Sequence, residues 1–422
     1  MRAPQSELLI QLFRAAVAAA EPANCLPAHL PTVRPAGRTV VIGAGKAAAA
    51  MAVTVAAHHA AHDLGPVSGA VVTRYGHGLR PGEQAPGIEI LEAGHPVPDE
   101  ASVAAGARIL QLARTCQPED RCLVLLSGGA SSLLVQPVPG VTLADKQGLT
   151  RQLLASGAGI AEINTVRRKL SLIKGGGLGR EIRAAEILLL AISDVPGDVL
   201  ADIGSGPLAP DPVSRAEARA ILDRYRIPLS AAIARALVLE APAGTARGLP
   251  PVTARIVASS SSALAAAARG ARVAGYKAVV LGDVAGPARA AAQEHAALLG
   301  ALRAGGERTA VLSGGETTVS VRHPGGRGGR NGEYLLALML SLGADAGAHA
   351  LAADTDGIDG TGDNAGALLT PDTLLRAARV RRNPAVALAA QDSYGFFAAL
   401  GDLLVTGPTR TNVNDLRIQL TA

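Results

Sequence analysis

The 422 residues carry 40 Lys+Arg against 35 Asp+Glu, a formal charge of +5, with 48% hydrophobic, 18% charged and 2% aromatic residues and no Trp. That much apolar surface excludes a disordered chain, and the scarcity of aromatic rings excludes a stacking platform for single-stranded nucleic acid. The basic residues are scattered, which points to small anions rather than nucleic acid as partners.

The first segment, MRAPQSELLIQLFRAAVAAA, pairs an early Arg with an apolar run, as a signal peptide does. Glu7, Gln11 and Arg14 interrupt that run at helical spacing, and the pattern predicts an amphipathic first helix with Ser6 as its cap. No uninterrupted apolar run of ~18 residues follows, so no membrane span is expected. Cys25, Cys116 and Cys122 show no C-x-x-C spacing; they fit a reducing compartment, and a cytoplasmic location is the expectation.

Short β-branched runs then alternate with Ala-rich helical segments: TVVIGA (39–44), GAVVTR (69–74), IEILEA (88–93), CLVLLS (122–127) and EILLLAIS (186–193). Continuous apolar strands between helices predict an α/β fold, a doubly wound parallel sheet covered on both faces. The helix SAAIARALVLE (230–240) runs into APAGTARGLPP (241–251), whose Pro and Gly break all periodicity. The domain boundary is placed there, giving an N-terminal domain over 1–240 and a C-terminal one over 241–422.

A second series follows: RIVASS (255–260), AVVLGD (278–283), TAVLSGGETTVSV (309–321), ALAADT (350–355) and DLLVTG (402–407). It predicts a smaller α/β layer with a mixed sheet, because GGETTVSV reads as a strand running into a hairpin. VLLSGGASS (124–132) and AVLSGGETT (310–318) echo one another as strand, Ser-Gly-Gly and hydroxyl cluster. Chance is a live alternative, since Gly is common at strand ends.

In open α/β sheets, ligands bind beyond the carboxyl ends of the strands, and most Gly clusters of this chain fall there. VVIGAGKAAAAMA (40–52) supplies G-x-G without the third glycine or the ribose acid of a dinucleotide site, and it lacks the spacing of a Walker A loop. What remains is Lys46 at a helix start, where the dipole disfavours a cation and an anionic ligand would relieve the conflict. A solvated lysine is the bland alternative.

LSGGASSLL (126–134) offers Ser127, Gly128, Gly129, Ser131 and Ser132 as an anion nest or, more plainly, a tight capped turn. EINTVRRKLSLIKGGGLGR (162–180) sets Arg168, Lys169, Lys174 and Gly175 in a basic wall for phosphates or on a solvated face. ISDVPGDVLADIGSGP (192–207) places Asp194 past a buried strand, with Asp198 and Asp202 behind it, suited to Mg²⁺, to a general base or to Asx turns.

Farther on, GGRGGRNGEYLLALML (325–340) ends a glycine loop in Arg330 and Asn331, where an Arg fork can grip a carboxylate or phosphate; Glu333 follows in a first turn that already favours an acid. AADTDGIDGTGDNAGA (352–367) does not fit a calcium loop, and its Asp354, Asp356 and Asp359 read as strand-end carboxylates for Mg²⁺ or a substrate hydroxyl. His77 and His95, each alone in a turn, read as structural. No Ser-His-Asp order, G-x-S-x-G elbow or H-E-x-x-H helix is present.

VIGAGKAAAAMA, GHPVPDE, LSGGASSLL, INTVRRKLSLIKGGGL, ISDVPGDVLADIGSGP, LSGGETTVSVR, GRGGRNGEYLLAL, AADTDGIDGTGDNAGA and TGPTRTNVNDL together resemble the glycerate 2-kinase family, whose C-terminal half is called the MOFRL domain. The match runs in unbroken order from about Leu8 to Leu416. The resemblance implies ATP-dependent, Mg²⁺-assisted phosphorylation of D-glycerate to 2-phosphoglycerate, in a cleft between a Rossmann-like domain and a smaller mixed-sheet domain.

Carried over by position, the family's reactive lysine falls on Lys46 and its cleft arginine on Arg330. Asn331, Glu333, Asp356 and Asn414 are then expected around the substrate, the SGGASS loop with Lys174 and Gly175 around the ATP phosphates, and Asp194 or Asp354 at the metal. The sequence departs from the family at Gly332, usually Gln, at Arg410, usually Gly, and at Ser259 to Ser261. Two alternatives stand beside the kinase: a nicotinamide-dependent hydroxypyruvate reductase, a name members also carry, and a non-catalytic sensor of a phosphorylated acid. The expected partner is a small molecule, with neither nucleic acid nor membrane involved and a homo-oligomer admitted.

Overall fold

The run Thr39–Ala44 becomes β1 and is buried along its whole length, as a strand covered on both faces requires. Around it lie β2 (Val67–Arg74), β3 (Ile88–Ala93), β4 (Arg121–Leu126), β5 (Glu186–Ile192) and β6 (Thr253–Ala258). The sheet order is β3-β2-β1-β4-β5-β6, and β1 pairs in parallel with β2 and β4. The order reverses between β1 and β4, the switch point at which open α/β sheets bind their ligands.

This computed structural model describes residues 4–238, 248–320, 325–343 and 348–421. The chain divides into Cys25–Val257, built on that sheet, and a second unit made of Met1–Asn24 with Ala258–Ala422. The expected boundary at 240/241 lies outside the described residues, and the division differs from it at both ends. The reason at the N-terminus is the first helix, Pro4–Ala20, which buries Leu9, Leu12, Phe13 and Ala16 and packs on helix Ser260–Val273. A β-carbon on Gly270 would come within 2.7 Å of Leu12 Cδ2, and Thr411 Oγ1 donates to Ala20 O at 2.7 Å. Ser6 is buried within that helix rather than capping it.

The second unit holds β7 (Lys277–Asp283), β8 (Gly286–Pro287), β9 (Thr309–Gly314), β10 (Thr317–Thr318), β11 (His349–Asp354), β12 (Gly366–Leu369), β13 (Leu403–Leu404) and β14 (Asp415–Leu420). Its main sheet is ordered β13-β12-β11-β14-β9-β7, parallel at β7/β9 and antiparallel at β9/β14 and β14/β11, a mixed sheet. Among the described residues β9 does not run into the expected hairpin: Gly315 turns the chain at φ 79°, and β10 pairs in parallel with β8 instead. Apolar residues of helices Ala288–Ala304 and Arg330–Leu342 cover the sheet and make its core. Cys25, Cys116 and Cys122 are buried free thiols. Among the described residues no helix is long and apolar enough to cross a membrane.

Candidate active site

At the switch point the two glycine loops are stitched together. Ser127 N donates to Ala44 O at 3.0 Å and Lys46 N to Gly128 O at 2.8 Å, while Ala47 N donates to Ser127 Oγ at 3.0 Å. Lys46 is buried in the turn before helix Ala48–Ala61. Only glycine fits at two of these positions: Gly45 has φ 133° and would place a β-carbon 2.1 Å from Ser127 Oγ, and Gly129 has φ 84° and would place one 2.8 Å from the His95 ring and 3.5 Å from Lys46 Cγ. The result is backbone packed closely around one lysine stem, with His95 beside it.

The serines of the second loop divide their work. Ser127 accepts from Ala47 as above, and Ser132 Oγ donates to Gly129 O at 3.1 Å, so both hold the loop's shape. Ser131 instead meets basic groups: Arg167 Nη2 and Lys174 Nζ donate to its Oγ at 2.8 and 3.0 Å, and Lys174 also reaches its carbonyl at 2.7 Å. Of the expected basic wall, Arg168 and Lys169 turn elsewhere, Lys169 lying 2.6 Å from Asp211 and Arg168 3.4 Å from it. Arg167, which sequence reasoning passed over, faces Ser131. Gly175 N donates to Ser205 O at 3.1 Å, so that amide holds the loop. Asp194 follows β5 half-buried, and Asp202 lies 3.6 Å from Arg168.

In the second unit, Arg330 opens helix Arg330–Leu342 inside a ring of acids. Its Nε donates to Asp415 at 2.8 and 2.9 Å, Nη1 to Glu316 at 2.8 Å and Nη2 to Asp354 at 2.7 Å. Burial opposes its charge, but Asp415, Asp354 and Glu316 hold the guanidinium protonated well above its ordinary range. One N–H on each terminal nitrogen has no partner among the described residues, so the fork is positioned by carboxylates and still has donors to offer.

Asn331 is fully buried; its Nδ2 donates to Asp415 at 2.8 Å, while its Oδ1 is buried with no hydrogen-bond partner. Asp359 accepts from the amides of Asn331 and Gly332 at 3.0 Å each. Burial pushes its carboxyl up to about 6, against those amides. Arg417, wholly buried, ties Asp415 at 2.8 Å to the carbonyl of Gly314 at 2.6 Å. The second Ser-Gly-Gly is thereby joined to Arg330 through Asp415.

Glu333, expected near the substrate, is buried and receives Arg289 Nε at 2.7 Å, a tie between two helices. Asp356 is buried and caps the amide of Ile358 at 2.8 Å. Asn414 is buried at φ 68°, its carbonyl accepting from Thr355. Arg410 is likewise buried, at φ 60°.

No trio of His, Cys, Asp or Glu among the described residues is arranged as a metal cage. Asp354 is committed through Oδ2 to Arg330 and through Oδ1 to the Asp356 amide at 3.0 Å. This donor set fits Mg²⁺ only as an ion carried by a ligand's own phosphates with a single carboxylate added.

Residues 8–238 match a family described as a domain of unknown function, DUF4147, and residues 309–415 match the MOFRL family. A protein of Agrobacterium vitis bearing a provisional hydroxypyruvate reductase name is 48% identical over 97% of this chain and 93% of its own length. The D-glycerate 2-kinase of Thermotoga maritima is 36% identical over 98% of each chain. The crystal structure of glycerate kinase from Thermotoga maritima matches with a TM-score of 0.88 at 35% identity, covering 99% of this chain and 100% of that one.

Proposed function

The chain belongs to the glycerate 2-kinase family that carries the MOFRL region, and from that premise we propose that it transfers the terminal phosphoryl group of ATP to the 2-hydroxyl of D-glycerate. The P–O bond to ADP breaks, a P–O bond to the 2-oxygen forms, and the hydroxyl proton leaves. The observation that carries this reading is the packing of Lys46 between the G-A-G and S-G-G loops at the switch point. Phosphoryl transfer asks for positioning and charge neutralisation more than for covalent chemistry.

On this reading Lys46 neutralises charge on the transferring group. The Ser127 to Gly129 loop fixes the lysine stem, and its glycines admit a phosphate chain that side chains would exclude. Arg330, aimed by Asp354, Asp415 and Glu316, uses its remaining N–H groups for the glycerate carboxylate. The buried Oδ1 of Asn331 accepts a substrate hydroxyl. Asp194, half-buried just past β5, would be the carboxylate to hold Mg²⁺, which would supply charge neutralisation to the donor phosphates. The reductase name borne by relatives gains no support from the first βα loop, which has neither the third glycine nor the ribose acid.

The test is phosphorus NMR of the product after incubation with ATP, Mg²⁺ and D-glycerate. A resonance matching authentic 2-phosphoglycerate supports the reading. Absence of any phosphorylated glycerate, or oxidation of NADH with hydroxypyruvate, overturns it.

A further inference from the structure

We propose that Lys146, Arg167 and Lys174, with the hydroxyls of Ser131 and Ser205, form a receptor for a multiply charged phosphate group. The proposal deepens the kinase reading and rests on it in assigning the donor to this unit.

Three elements deliver the cations: Lys146 from helix Leu143–Ala155, Arg167 from helix Ile160–Lys169 and Lys174 from the loop beyond it. Lys174 is almost wholly buried. Arg167 and Lys174 converge on Ser131 Oγ at 2.8 and 3.0 Å, and Ser205 Oγ lies 2.8 Å from the same atom. Lys146 Nζ donates to Leu170 O at 2.8 Å. Ser205 is a non-glycine residue held at φ 65° between Gly204 and Gly206, backbone that tends to persist where a site demands it.

None of the three cations has a carboxylate within ion-pair distance among the described residues. The neighbouring acids are spent elsewhere: Asp211 on Arg168 and Lys169, Asp202 on Arg168, and Asp145 on Thr142 and Ser230. Burying like charges together without a counter-charge is costly, and it is the arrangement a phosphate with two negative charges complements.

The protonation of the cluster carries the same sign. Burial, with Arg167 adding repulsion, lowers the Lys146 amine to about 7. Burial, then Arg167 and Lys146, pushes Lys174 down as well. The charged groups facing Lys146 are thus Arg167 and Lys174; on its own helix Asp145 is engaged as above, and Arg151 is exposed. An anion seated among these groups raises their pKa values, so binding at pH 8 draws in a proton.

The test is calorimetry of the full chain with inorganic pyrophosphate at pH 8, in two buffers of different ionisation enthalpy. One-to-one binding with net proton uptake is expected. Arg167→Met and Lys146→Met should each weaken it at least about 10-fold without lowering the melting temperature, and Lys146→Met should reduce the uptake, leaving the share of Lys174. No binding, or unchanged affinity in both variants, overturns the receptor, whatever becomes of Lys174→Met.

Parallel titrations with ADP and with orthophosphate name the source. Preference for ADP and pyrophosphate assigns the donor's phosphate chain, and orthophosphate binding equally well assigns a single phosphate. A chain that binds pyrophosphate in this way yet phosphorylates no glycerate retains the receptor and loses the kinase reading. A competent kinase whose variants bind pyrophosphate like the parent does the reverse.

Discussion

The amide of Lys46 donates to the carbonyl of Gly128 at 2.8 Å, which fixes the lysine's backbone to the loop that follows the neighbouring strand. Its position is therefore set by main chain from two strands. Replacing its side chain tests charge without moving the scaffold. Lys46→Met is expected to lower kcat by about 100-fold or more, the scale of removing one charge-stabilising group, with a small change in melting temperature. A coupled assay of ADP release measures it, and turnover within about threefold of the parent removes Lys46 from the reaction.

Gly129 is expected to be intolerant of any side chain. Its φ is 84°, and a β-carbon there would stand 2.8 Å from the His95 ring. Gly129→Ala should therefore cost at least about 1 kcal/mol in backbone strain and displace His95 or Lys46. Urea denaturation reads the first effect and kcat the second. A variant neutral in both contradicts the close packing described.

Arg330 has two roles that its variants should separate. Arg330→Ala removes the guanidinium from buried Asp354 and leaves buried Asp415 with Arg417 alone, and is expected to destabilise the protein by about 3 kcal/mol. Arg330→Lys keeps a charge and loses the fork, so stability should largely return while the KM for glycerate stays raised. A KM equal to the parent's in the lysine variant argues that the arginine only braces its carboxylates.

Asp359 and His295 should pull stability in opposite directions over one pH range. Burial raises the Asp359 carboxyl from 3.8 to about 6, so its contribution is present below pH 3.8 and lost as pH rises through about 6. Burial, then the charge of Arg417, lowers His295 from 6.5 to about 4, so its contribution is present above pH 6.5 and lost as pH falls through about 4. Each amounts to about 3 kcal/mol. Asp359→Asn should give a protein that gains stability with rising pH between 4 and 6.5. His295→Gln, keeping a partner for the Tyr334 hydroxyl 2.7 Å away, should give one that loses it. Denaturation across that range decides, and parallel profiles in the two variants would refute the assignment.

Strands β1, β4 and β5 were legible because strands buried on both faces read as unbroken apolar runs, whereas half-exposed β6 was read into the second series and pairs in the first sheet instead. Strand β14 was not legible: Arg417 and Gln419 interrupt DLRIQL, and their burial depends on partners such as the Gly314 carbonyl and the Tyr334 hydroxyl, which are remote in sequence. The glycine loops, Lys46 and Arg330 could be found because they end strands or open helices. That Arg167 rather than Arg168 meets Ser131 could not, since one residue of helical rotation separates them and only tertiary packing chooses the face. Glu333 shows the opposite failure: a first-turn acid is compatible with a ligand, and the helix carrying Arg289 claimed it.

The first helix belongs with residues that follow Val257, and this has a consequence for synthesis. It leaves the ribosome with Leu12 and Phe13 bare, and helix Ser260–Val273, on which the segment packs with Leu12 against Gly270, is translated only after the whole Cys25–Val257 unit. That intervening unit can close on its own contacts in the meantime. The opening segment thus acts as a late latch, and a chain truncated before Ala258 would leave it permanently unseated, an apolar stripe for chaperones to hold.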